Sequence, residues 1–452
     1  MKPGCDDHRP VLVKSLHNDN MRSNNVPEEP VKTKVLIIGG GPGGATSALF
    51  LAQKGIQSTL VEKEQFPRYH IGESLTGECG NCLRLLGFED EMKDRGYPVK
   101  YGVSVYGPGG ANPFRVPVMA RSPKDELMET STWQVRRSDF DDLLHSKCRE
   151  SQHITLVQGK AIEPILDKDT VRGARIRLAD GTLQEIESEV LIDASGMATW
   201  LCNSGVTSKK DRGSYDKQVA IFSQVKGAIR DTGKLKDETL IFYRSRCHWA
   251  WFIPLDEETV SVGVVTPSEY FKSKKESKQN FLERELRELN PELTRRLPEA
   301  QLTEETRAIS NYSYHIRNFT GKGYLCVGDA HRFIDPVFSF GLYFSVKEAQ
   351  RAADEIEAYL GGANRDLANP FAEYQRQCEH GQSVIQELID AFWDHPMAFS
   401  FFVHWRYRED FIDLFAGRVY AAEPSPGLMA MRRINRQSHS RPADSTDERK
   451  TA

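Results

Sequence analysis

Gly39, Gly41 and Gly44 form a GxGxxG run directly after the β-branched segment Val35 to Ile38. Glycine there lets the backbone turn tightly and approach a pyrophosphate, which then rests on the positive N-terminus of the following helix. Glu62 closes the next apolar segment, at the offset where an acid accepts hydrogen bonds from a ribose hydroxyl. Much later, YLCVGDA ends in Gly328, Asp329 and Ala330. A carboxylate at such a strand end can hold polyol hydroxyls, while the next helix N-terminus faces phosphate or an electron-poor ring. Trp249 and Trp251 sit two apart on an apolar segment and so point to one face, where they either wall a tunnel or pack a core. Lys100, taken alone, is a loop lysine of the kind that is normally solvated. Amine chemistry would need it held in apolar surroundings that lower its pKa.

The elements that must position these residues follow from periodicity. The stretch KVLIIGGGPGGATSALFLAQKGIQSTLVEK alternates a strand, an Ala/Leu-rich helix and a second strand from Ser58 to Val61, a βαβ unit. Strand-like segments recur in HITLVQ, ARIRLA and EVLIDAS, then in QVAIFSQV, TLIFYR and TVSVGVV, and imply a second, mostly antiparallel sheet. From Lys347 onward the pattern is helical. The expected fold is α/β: a discontinuous Rossmann-type dinucleotide-binding domain, an inserted antiparallel substrate domain and a helical C-terminal region. The boundaries expected are a disordered lead-in at 1–32, a dinucleotide-binding domain at 33–100, 133–205 and 305–360, and a substrate domain at 101–132 and 206–304. Helices follow at 361–436 and a disordered tail at 437–452.

Composition narrows the class. The 452 residues suffice for two or three packed domains. Hydrophobic residues at 39% and charged residues at 27% are ordinary for a globular chain, and a net charge of −4 gives no basic surface calling for nucleic acid or anionic lipid. No apolar run is long enough to span a bilayer and no apolar block near the N-terminus reads as a signal peptide, so the expected location is the cytoplasm. Eight scattered cysteines form no disulfide framework; Cys79 and Cys82 make a CxxC without a second pair, which reads as two buried thiols on a helix rather than as zinc ligands. The aromatic run HPMAFSFFVHWRYREDF is read as core or pocket packing rather than a membrane-surface helix, because charges interrupt it every few residues.

WQVRRSDFD at 133–141, VLIDASG at 190–196 and the YLCVGDA strand resemble the corresponding segments of the para-hydroxybenzoate-hydroxylase-like flavoproteins. That resemblance implies FAD as cofactor, with Arg137 and Ala161 among its contacts alongside Gly39, Gly41, Gly44, Glu62, Arg68, Ser74, Gly328, Asp329, Ala330, Pro336 and Leu342. For Arg137 a surface ion pair is an equal reading. Two further elements are similar to signatures of the flavin-dependent halogenases. The first is WxWxIP, running from Trp249 to Pro254, which in that family sits beside a tunnel from flavin to substrate and makes Trp249, Trp251, Phe252 and Pro254 the expected tunnel residues. The second is FxxPxxSxG, from Phe333 through Pro336 and Ser339 to Gly341. The resemblance implies that Ser339, Phe340 and Gly341 hold chloride or bromide on backbone amides, as turns containing glycine can. It also implies that Lys100, downstream of the PRYHIGES segment, receives hypohalous acid and delivers the halogen. Reduced FAD would come from a separate flavin reductase, and the substrate would be a small aromatic, free or tethered to a carrier.

Departures from the family pattern refine this. Phe338 stands where tryptophan halogenases place a glutamate, which favours a phenol- or pyrrole-like ring that activates itself. His331 follows the GDA run where a small residue is expected; it either touches phosphate or flavin or caps a helix. GESLTGECG replaces the more usual GESLLP. A flavin monooxygenase or reductase on the same scaffold, and a non-catalytic flavin-binding protein, are the alternatives.

Overall fold

The structure, a computed structural model, describes residues 30–213, 215–299, 301–310 and 312–439. Residues 1–29 of the expected lead-in and 440–452 of the expected tail lie outside these. Val31 and Lys32 already belong to the first strand, Val31–Ile38, and the last helix, Pro426–His439, extends past the expected tail boundary.

Five strands form a parallel array in the spatial order Ile154–Asp167, Ser58–Glu62, Val31–Ile38, Leu183–Asp193 and Tyr324–Cys326. Its centre, Val35 to Ile38 and Val190 to Ile192, is fully buried. Helices cover both faces of such a sheet, so its strands read as unbroken apolar runs rather than as alternation. The far half of Ile154–Asp167 leaves the array and pairs antiparallel with Thr170–Leu178, which returns antiparallel onto Leu183–Asp193. The segments HITLVQ, ARIRLA and EVLIDAS therefore belong to this first sheet. The helix Pro42–Gln53 packs between Arg137–Glu150 and Gly341–Leu360. The latter helix begins six residues before the helical pattern read from Lys347, because the FxxPxxSxG turn leads straight into it.

The second sheet has eight strands and is antiparallel except where Thr239–Ser245 lies parallel to Gly102–Tyr106. Its order runs Gln301–Leu302, Gln218–Lys226, Thr259–Pro267, His248–Pro254, Thr239–Ser245, Gly102–Tyr106, Phe114–Pro117, with Arg307–Ser310 also paired to Gln218–Lys226. Arg307–Ser310 therefore departs from the 305–360 span assigned to the FAD-binding domain: backbone pairing, not the apolar pattern, fixes the boundary.

Alternation gives this sheet two different faces. Trp249, Trp251, Ile241, Phe222 and Ala220 join the core shared with the first domain. Phe252, Ala250, Ile221, Phe242 and Val262 join a second core under the helix Lys278–Glu288.

The C-terminal helices Ala372–Asp394, Pro396–Phe401 and Arg408–Ala416 bring Phe392, Phe399 and Phe411 together as a buried aromatic cluster. The aromatic run is only partly the core packing expected of it: Met397, Phe401 and Trp405 are exposed, Trp405 to 71%. Among the described residues no helix is long and apolar enough to cross a membrane, and no cluster of His, Cys, Asp and Glu could hold a metal ion. Cys79 and Cys82 are buried free thiols on the helix Gly77–Leu85, and burial pushes both pKa values up.

Candidate active site

The three glycines of the first turn do different work. Gly39 has φ +103°, and a Cβ there would stand 2.5 Å from Ala194 O; one at Gly44 would stand 1.8 Å from Gly39 O. Both positions bring backbone against backbone, which only glycine permits. At Gly41 a Cβ would meet only Arg68 Nη2, at 3.5 Å, because that position opens onto a cavity. Glu62 faces the same cavity, its Oε2 accepting from Gly40 N at 2.6 Å and its Oε1 from Glu64 N at 2.7 Å. Both oxygens keep a lone pair for a ligand hydroxyl.

This cavity has a volume of about 520 Å³ and runs from the glycine turn to the tryptophans of the second sheet, within the size range of cofactor sites. Arg68, Arg137, Ala161, Ser74, Pro336 and Leu342 line it. Arg137 is not the surface ion pair that was its alternative reading. It is 5% exposed, clamps Asp141 through Nε at 2.7 Å and Nη2 at 2.9 Å, and donates to Ile71 O at 2.6 Å. Arg68 reaches the same Asp141 at 3.1 Å.

Of the GDA run, Asp329 alone lines the cavity, and burial pushes its pKa up to about 7. Gly328 and Ala330 shape the turn instead. A Cβ at Gly328 would meet Ser345 Oγ at 2.6 Å, and its amide donates to Glu348 Oε2 at 2.7 Å. His331 does not line the cavity; it caps the short 3-10 helix Gly328–Ala330 at its C-terminal end, its amide donating to Gly328 O at 3.1 Å. It is buried, with Nε2 2.9 Å from Glu348 Oε2 and its ring stacked on Phe319 at 3.8 Å. Gln382 completes this network by donating to Glu348 Oε1 at 2.7 Å.

Asp335 accepts from Val337 N at 3.0 Å, and Ser339, at φ +60°, donates its amide to Pro336 O at 2.9 Å. The chain then enters the helix Gly341–Leu360, whose first return bond runs from Phe344 N to Phe340 O. The amides ahead of it form the open, positive end of a 20-residue helix. Ser339 and Gly341 face the cavity; the Phe340 ring does not, being buried against Tyr343 and Phe344.

The tryptophan pair walls the far end. Trp249 and Trp251 are buried, 6.0 Å apart between ring centroids, and line the cavity with Ile253. Trp251 Nε1 donates to Ser261 Oγ at 3.1 Å. Phe252 and Pro254, expected as tunnel residues, do not line it: strand alternation turns them to the opposite face, where Phe252 enters the second core. Alternation alone would have selected Ile253.

Next to the large cavity lies a second one of about 20 Å³, room for roughly one water. Lys100 lines it with Val103, Val118, Phe338 and Phe415, and Thr239, Ile241 and Ser339 border both cavities. Lys100 is 2% exposed, on the two-residue strand Val99–Lys100 paired with Thr132–Trp133. Its Nζ donates to Ser74 Oγ at 2.8 Å and to Leu75 O at 2.9 Å. Burial lowers its pKa from 10.5 to about 7, against the smaller opposing effect of Glu238. Phe338 packs edge-on against Phe392 and Phe415, so this cavity is apolar where a glutamate would have faced it.

Residues 32–386 match the FAD binding domain family. A 1H-pyrrole-2-carbonyl peptidyl-carrier-protein brominase of Pseudoalteromonas luteoviolacea strain 2ta16 is 37% identical over 367 residues, 81% of this chain and 87% of that one. The chain belongs to the flavin-dependent halogenases. A tryptophan 2-halogenase of Chondromyces crocatus is 32% identical over 80% of this halogenase and 68% of its own length. The solved structure of the flavin-dependent brominase Bmp2 superposes with a TM-score of 0.84 at 35% identity, covering 90% of this chain and 99% of that one.

The halogenase is accordingly an oxidoreductase that uses FAD and halide. Its residues fit the flavin: Gly41 leaves open the space a Cβ would fill, Asp329 presents a carboxyl to the cavity, and the buried guanidinium of Arg137 and the partly buried one of Arg68 lie beside it. Two residues not expected there also stand at the site. Glu73, in the PRYHIGES segment and 2% exposed, has its pKa raised to about 7 by burial, and Thr239 borders both cavities. Nothing in the spacing of Thr239 marks it.

Proposed function

We propose that this halogenase places a halogen on a pyrrole- or phenol-like ring delivered by a carrier protein, with Lys100 as the amine that directs it. The observation that carries this reading is the Lys100 amine itself: buried, near neutrality in its pKa, and lining a small apolar cavity next to the large one. At pH 7 such an amine exists as both ammonium and free base. It can therefore donate a hydrogen bond to hypohalous acid or meet it with a lone pair.

Bound reduced flavin, replenished by a separate flavin reductase, supplies the reducing equivalents with which oxygen converts halide to hypohalous acid. The chain's own residues do the rest. Glu62, Arg68, Arg137 and Asp329 hold the cofactor along the large cavity. The amides at Ser339, Phe340 and Gly341 hold halide at a helix N-terminus. Trp249, Trp251 and Ile253 exclude the organic substrate from the large cavity. The small cavity admits a water-sized species as it stands, so an aromatic ring enters by displacing Phe338 or Phe415.

The carrier-tethered substrate is supported by the likeness to the pyrrole-carrier brominase, and a self-activating ring by Phe338 in place of an acid. The test is product mass spectrometry with FAD, NADH, a general flavin reductase and either carrier-bound pyrrole-2-carbonyl or free pyrroles, phenols and indoles, in bromide, in chloride and without halide. Halide-dependent mass shifts on the carrier-bound ring that vanish in Lys100→Ala are expected. Normal halogenation by Lys100→Ala would overturn the role of the lysine, and products confined to free rings would overturn the carrier.

A further inference from the structure

The surroundings of the Lys100 amine form a hydrogen-bond chain that runs from Gln134 through Thr239 and Ser74. Gln134 Nε2 donates to the carbonyl of Asp237 at 3.1 Å and to Thr239 Oγ1 at 2.9 Å. The carbonyl accepts only, which fixes which end of the Gln134 amide faces these partners. Thr239 Oγ1 is therefore an acceptor from Gln134. Thr239 Oγ1 and Ser74 Oγ are hydrogen-bonded at 2.7 Å, with either hydroxyl able to donate, and Ser74 Oγ in turn accepts from Lys100 Nζ at 2.8 Å. Ser74, Thr239 and Gln134 are all buried.

A tetrahedral amine has four directions. In Lys100 one is the side-chain carbon, one points to Ser74 Oγ and one to Leu75 O. The fourth is uncommitted, and Lys100 lines the small cavity. We propose that Gln134, Thr239 and Ser74 act as a chain that holds the Ser74 hydroxyl in place as the acceptor of the Lys100 amine and so aims the uncommitted position of Lys100 at the small cavity, with Thr239 its decisive positioning residue. This rests on the reading of Lys100 as the directing amine.

Without the Thr239 hydroxyl, the Ser74 hydrogen turns freely and competes for the side of the amine that Ser74 now accepts from. The ammonium form loses an acceptor and the free base gains a donor, both of which lower the lysine pKa. The other titratable neighbours of the amine, Glu238 and Cys79, stay in place and both act in the opposite direction.

The test compares Thr239→Val, which removes the hydroxyl while nearly keeping shape, with Thr239→Ser, which restores it. Lys100 is titrated by NMR in full-length FAD-loaded protein carrying 13C-labelled lysine, the signal being identified by its loss in Lys100→Ala. In parallel, aryl halide formed is measured against hypohalous acid released and trapped by taurine. We expect the lysine midpoint to fall in Thr239→Val and the ratio of aryl halide to released hypohalous acid to drop roughly tenfold to a hundredfold, as small misplacements of a reacting group do. Thr239→Ser should recover both. A midpoint in Thr239→Val equal to that of the unaltered enzyme would overturn the proposal, whatever the product ratio. Should Thr239→Val not fold, Ser74→Ala gives the same comparison. Halogenation that survives in Lys100→Ala removes the parent reading, while the titration still decides the hydrogen-bond chain by itself.

Discussion

The ring of Trp251 occupies the space that a side chain at Gly263 would need. The two residues are paired across neighbouring strands, and a Cβ at Gly263 would lie 2.3 Å from the indole. The tunnel wall is thus set as much by an absent methyl on Thr259–Pro267 as by the tryptophan itself. Gly263→Ala is expected to displace the indole and cost about 1–3 kcal/mol through overpacking. Thermal denaturation and a shifted tryptophan emission maximum check this; an unchanged spectrum at unchanged stability would contradict it.

Gly41 faces the large cavity with no backbone against it, unlike Gly39 and Gly44. Gly41→Val should therefore fold normally yet lose FAD, because its side chain fills the approach to the pyrophosphate. The flavin absorbance of purified protein reads this directly, and full occupancy would refute it. Gly44→Val, with its Cβ 1.8 Å from Gly39 O, should instead fail to accumulate as folded protein.

Glu348 accepts from the Gly328 amide and Gln382 and pairs with His331, all in the interior. Glu348→Ala orphans these groups and is expected to cost about 3 kcal/mol or more, as removing one member of a buried polar cluster does. Because the Gly328 turn sets the position of Asp329, FAD affinity should fall with it. Stability loss with unaltered FAD affinity would separate the network from the cofactor.

Glu73 has a folded-state pKa raised from 4.5 to about 7 by burial. Between those values the folded protein holds a proton that the unfolded chain has released. Stability attributable to this group therefore falls as pH rises through that window, by on the order of 3 kcal/mol in total. Glu73→Gln removes the dependence. Denaturant titrations of the two proteins across pH 4.5–7.5 should diverge steadily with rising pH, and parallel curves would mean that Glu73 is ionised when folded.

Phe415, half-buried at the small cavity and edge-on to Phe338, limits the room beside Lys100. Phe415→Ala should raise activity on larger phenols relative to pyrroles. Competition between a pyrrole and a bulky phenol measures the change in their kcat/KM ratio, and an unchanged ratio would place ring entry elsewhere.

Some of this protein is legible in its sequence because it depends on local chemistry. The GxGxxG run, the acid closing the second strand, the Gly-Asp-Ala turn and the FxxPxxSxG element each work through backbone geometry within a few residues, so their spacing is their signature. That there is a second, mostly antiparallel sheet could be read from apolar segments, but not that HITLVQ, ARIRLA and EVLIDAS belong to the first. What the sequence could not decide arises where residues distant in the chain meet. Whether Lys100 is solvated or buried depends on Ser74, Leu75 and Thr239 closing around it from separate elements. That Arg137 is an interior clamp, that His331 is tied to Glu348 and that Arg307–Ser310 pairs into the second sheet follow only from packing and strand pairing. Short-range patterns report what a segment can do, because backbone sterics act locally; burial and the pKa shifts it brings are set by everything that surrounds a group, and only the folded chain specifies that.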